Sequence, residues 1–76
     1  MFERINMDRL ALSRQVIDTW EAMGGPSGTE GNLRLVHNEI EILVAFSRDH
    51  PERGEESRAL IERYTNLSRA IRSSLI

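Results

Sequence analysis

Seventy-six residues with no cysteine and a formal charge of −2 leave room for one small domain without disulfides or thiolate metal sites. A chain this short buries only about 60% of the surface it exposes when unfolded, so an idealised bundle or a partner subunit is expected to add stability. The acid excess argues against a broad polyanion-binding face, which would be built from clustered Lys and Arg. All ten basic residues are arginine, whose planar fork suits contacts with carboxylates.

The opening stretch MFERINMDRL carries charges of both signs and no continuous apolar run. It reads as neither a signal peptide nor a membrane span, and the chain reads as a cytoplasmic, single helical domain over residues 1–76. A first helix is expected over about residues 2–23. Projected at about 100° per residue, Phe2, Ile5, Leu10, Leu12, Val16, Ile17, Trp20 and Met23 share one broad face. Asn6 as a cap would pair Ile5 with Leu10 as a hydrophobic staple. Gly24, Gly25 and Pro26 end the helix.

GGPSGTEG, residues 24–31, is a turn-forming stretch, and a second helix is expected over about 31–47. Ser27 and Glu30 have capping-box spacing, although Gly28 and Gly31 weaken that first turn. Leu33, Val36, Ile40, Leu43 and Val44 form one apolar stripe, and Leu35, Ile42 and Phe46 form another beside it. A helix apolar on two flanks is expected to touch two neighbours, with Glu39 projecting between them.

RDHPERG, residues 48–54, marks a second turn, and a third helix is expected over about 51–74. Asp49 with Glu52 can form a capping pair, and Pro51 suits the first turn, where its missing N–H does no harm. Glu52, Glu55 and Glu56 complement the positive end of the helix dipole, and Arg69 and Arg72 the negative end. Leu60, Tyr64, Leu67, Ile71 and Leu75 follow a nearly heptad seam, with Ile61 beside it. The expected fold class is therefore all-α: a small antiparallel helical hairpin or three-helix bundle, completed by dimerisation.

No catalytic signature is present. The glycine-rich stretch follows a helix and has no lysine, unlike a phosphate loop, and the serines lack a neighbouring His and Asp arrangement. His37 and Glu41, four apart, could share a divalent metal, but the Glu-x-x-His pattern of carboxylate-bridged bundles is missing. No catalytic residue, metal or cofactor is therefore assigned. Glu39 would be costly if buried alone and should find Arg9, Arg14, Arg63 or Arg69. Trp20 and Tyr64 are expected on the core side, with packing across subunits a second role. The terminal segment 57–76 sets Arg58, Arg63, Arg69 and Arg72 against Glu62, which reads as dipole compensation.

These features point to a small non-enzymatic regulator, inhibitor or adaptor that binds another protein through amphipathic helices as a homodimer. The expected interface residues are Trp20, Leu35, Glu39, Ile42, Phe46 and Tyr64. A nucleic-acid-binding transcriptional regulator is the alternative. Glutamates stand where a recognition helix would begin, which counts against it.

Overall fold

In the computed structural model, the structure describes residues 9–25 and 29–75. They form three α-helices: α1, Arg9–Ala22; α2, Glu30–Asp49; and α3, Gly54–Ser74. A 3-10 turn, Pro51–Arg53, joins the last two, and no strand occurs among the described residues. The expected Asn6 cap, the Ile5–Leu10 staple and the Ser27 cap lie outside these residues.

Helix α1 stops because two consecutive glycines accept left-handed backbone, with φ +84° at Gly24 and +92° at Gly25. The Gly25 N–H donates to the Trp20 carbonyl (2.6 Å) and the Gly24 N–H to that of Glu21 (3.2 Å), the two bonds of a Schellman motif. Thr29, in extended backbone, caps α2 by accepting from the Asn32 N–H at 3.1 Å.

At the other end α2 runs through Asp49, two residues beyond expectation. Asp49 therefore does not cap the third helix. His50 closes α2 with its N–H on the Phe46 carbonyl and also opens the 3-10 turn, which carries Pro51 before α3 starts at Gly54.

Helices α2 and α3 form an antiparallel hairpin and share the largest interhelical contact. Helix α1 lies parallel to α3, since Arg14 meets Glu56 and, farther along, Asp18 meets Arg63. Every helix contributes to one core: Leu10 and Ile17 from α1, Val36 and Leu43 from α2, and Leu60, Tyr64 and Ile71 from α3. Trp20, Leu33, Ile40, Phe46, Ile61 and Leu67 pack partly buried around it. Leu75, the last residue of the expected seam, stays 40% exposed past the end of α3.

The two stripes of α2 meet different surroundings. The one through Val36, Ile40 and Leu43 faces the core, with Val44 at its exposed edge. On the other, Leu35 is 56% and Ile42 38% exposed, and only Phe46 is half-buried. One chain thus covers one flank of α2 and leaves most of the other open.

Candidate protein-interaction surface

A polar joint fixes α1 between the two arms of the hairpin. Glu39 on α2 accepts from the Arg9 guanidinium (2.7 Å) and from the Ser13 hydroxyl, both on α1. Tyr64 on α3 donates its hydroxyl to the Ser13 carbonyl at 2.7 Å. Burial, with the Glu39 charge adding to it, pushes the Tyr64 phenol up to about 12. Trp20 meets the Tyr64 ring edge-on, with centroids 6.4 Å apart. Glu39 therefore finds one of the expected arginines, and three of the expected interface residues, Trp20, Glu39 and Tyr64, sit at the meeting of α1 with the hairpin.

No motif set Ser13 apart from the other serines, yet it is fully buried. The signal was positional: Ser13 lies between Leu10 and Ile17 at helical spacing, where a small side chain leaves room for Glu39.

Other charges serve the same docking. Arg63 donates to Asp18 and Glu21, whose hydrogen bonds, Glu21 first, hold its charge still more firmly than usual. Glu56 accepts from Arg14 at 2.8 Å and from Arg53 at 3.0 Å. Phe46, also expected at an interface, stacks on His50 with centroids 4.4 Å apart, and the Arg53 guanidinium lies 5.7 Å from its ring centre. The His37 Nε2 faces the Arg72 guanidinium at 3.4 Å, a cationic neighbour ill-suited to a metal ligand. Among the described residues no three His, Cys, Asp or Glu side chains group as metal ligands would. No helix there is long and apolar enough to cross a membrane. A depression of about 420 Å³ at the hairpin tip is walled by Glu52, Arg53, Glu55 and Glu56.

The open apolar surface lies elsewhere. The broad face expected on α1 divides: Leu10 and Ile17 are buried, whereas Leu12 is 42%, Val16 37% and Met23 70% exposed. On a helical projection these three lie on the side of α1 from which Arg9 reaches Glu39. Leu35 and Ile42 lie just beyond Glu39 on α2, so the two exposed rows flank the same α1–α2 seam. Leu35 and Ile42 are the expected interface residues that the chain itself leaves accessible.

No family model matches this chain, and no curated protein or solved structure shows significant similarity to it.

Proposed function

We propose that the protein is a small protein-binding regulator or adaptor that acts as a homodimer through its exposed helix faces and has no catalysis of its own. The observation that carries this reading is the pair of apolar rows along the α1–α2 seam, Leu12 with Val16 and Leu35 with Ile42. Large side chains gathered on adjoining flanks of a small protein mark an interaction surface, whereas scattered ones do not. The charged groups support the same reading: Arg9 and Glu39 at this seam, and Arg63 and Glu56 at the α1–α3 contact, are occupied in holding the helices together. Arg63 in particular is engaged at the surface by two carboxylates of α1, which offset its charge on any basic face of α3.

Sedimentation equilibrium of the wild-type chain beside Ile42→Asp and Val16→Asp variants tests this reading. A dimer at micromolar concentration that both substitutions weaken, with helicity retained, is the expected result. Strictly monomeric wild-type protein would remove the homodimer.

A further inference from the structure

The outward face of α2 repeats every seven residues. Gly31, Asn38 and Ala45 form a row of small or short side chains along its middle. Leu35 and Ile42 border the row on one side, and Arg34, Glu41 and Arg48 on the other. All eight are exposed, as is Glu30 one turn before Arg34. None of Glu30, Arg34, Glu41 and Arg48 makes an ion pair among the described residues. Spacing of four could explain Glu30 with Arg34 as support within the helix. It does not explain Glu41, which lies seven residues from both Arg34 and Arg48.

We infer that the occupant of this face is a second copy of the chain, with α2 packed antiparallel on α2 about a two-fold axis beside Asn38. This deepens, and rests on, the homodimer reading above. Such an axis sets Leu35 against the partner's Ile42 and Gly31 against the partner's Ala45. It brings the two Asn38 side chains together at the centre, where each amide supplies both a donor and an acceptor. Along the charged border, Arg34 comes opposite the partner's Glu41, and Glu30 opposite the partner's Arg48.

Because an isologous contact occurs twice, the Glu-Arg-Glu-Arg order gives four opposite-sign pairs from one register. Parallel pairing about an axis along the helices would instead lay each charged border against the partner's Leu35 and the partner's Ile42, leaving the charges without opposite-sign partners. Gly31 and Ala45 allow the backbones close approach, and Leu35 and Ile42 supply the apolar layer. The Leu12 and Val16 row of α1 flanks the same seam and extends the contact surface.

Charge exchange tests the register. Arg34→Glu and Glu41→Arg are each prepared as full chains and compared with wild type by sedimentation velocity, with circular dichroism confirming unchanged helicity. Each variant alone places like charges opposite one another, and its monomer–dimer midpoint should rise at least about tenfold. Mixed in equal amounts, the two variants pair Arg with Glu at both ends of the interface, so dimer should return as the heterodimer. If both variants dimerise as well as wild type, or the mixture fails to recover, the antiparallel α2 contact is wrong while the homodimer stands. A wild-type chain that never dimerises overturns both.

Discussion

Glu39 shows how one side chain can decide the register of a small core. It lies on α2 between the covered and open flanks, and its carboxylate is the shared acceptor for Arg9 and Ser13. Removing it leaves the Arg9 guanidinium only its long bond to the Ser13 oxygen (3.4 Å) and takes away the carboxylate to which the Ser13 hydroxyl donates. Glu39→Ala should therefore destabilise by about 2 kcal/mol in urea titration, below the range for fully buried pairs because Arg9 stays 30% exposed. Tyr64→Phe, which removes only the bond to the Ser13 carbonyl, should cost about 1 kcal/mol. The same tyrosine gives a pH signature. The unfolded chain ionises it near its ordinary value of 10.0, whereas the folded chain keeps the proton to about 12. Stability is then fully present below about pH 10 and falls as pH rises towards 12, an alkaline loss that Tyr64→Phe should abolish. The sequence made the need of Glu39 for an arginine legible, since burial of a lone charge is so unfavourable. It made only the burial of Ser13 legible, through its helical spacing between Leu10 and Ile17; nothing local marks a carboxylate on another helix as its partner.

At the scale of the elements, periodicity and turn residues located the helices, while their ends depended on chemistry too local to weigh in advance. Thr29 caps α2 and His50 serves two elements at once. Both positions were obscured by stronger-looking signals beside them, Ser27 with Glu30 and Asp49 with Glu52. Thr29→Ala should lower stability by about 1 kcal/mol through the lost bond to the Asn32 N–H, read from chemical denaturation. Gly24→Ala should cost a similar amount although nothing lies within 4 Å of an added Cβ. The penalty there is the positive φ itself, about 1 kcal/mol for an L-residue. The α1 face was harder to divide from sequence. Leu10 and Leu12 both look apolar on a helical projection, but the hairpin is narrow enough to cover only the Leu10 and Ile17 side.

For the whole molecule, the division of contacts predicts a division of stability. The hairpin holds most of the interhelical packing, and α1 is attached through a small apolar patch ringed by ion pairs. Amide hydrogens of α1 should exchange faster than those of α2 and α3, and raised salt should widen the gap because the exposed pairs are screened. Chain connectivity points the same way. Closing α2 onto α3 needs only the short turn at residues 50–53, whereas Tyr64 reaches Ser13 across 51 positions of chain. The hairpin is thus the low-contact-order part of the fold, and it should form before α1 docks. Trp20 and Tyr64, the sole residues of their kinds, face each other across that last junction. Tryptophan emission consequently reports on the docking of α1, while far-ultraviolet ellipticity follows the helices together. In a stopped-flow refolding trace the emission change should lag behind the ellipticity, giving the molecule a built-in optical clock for the order in which its parts assemble.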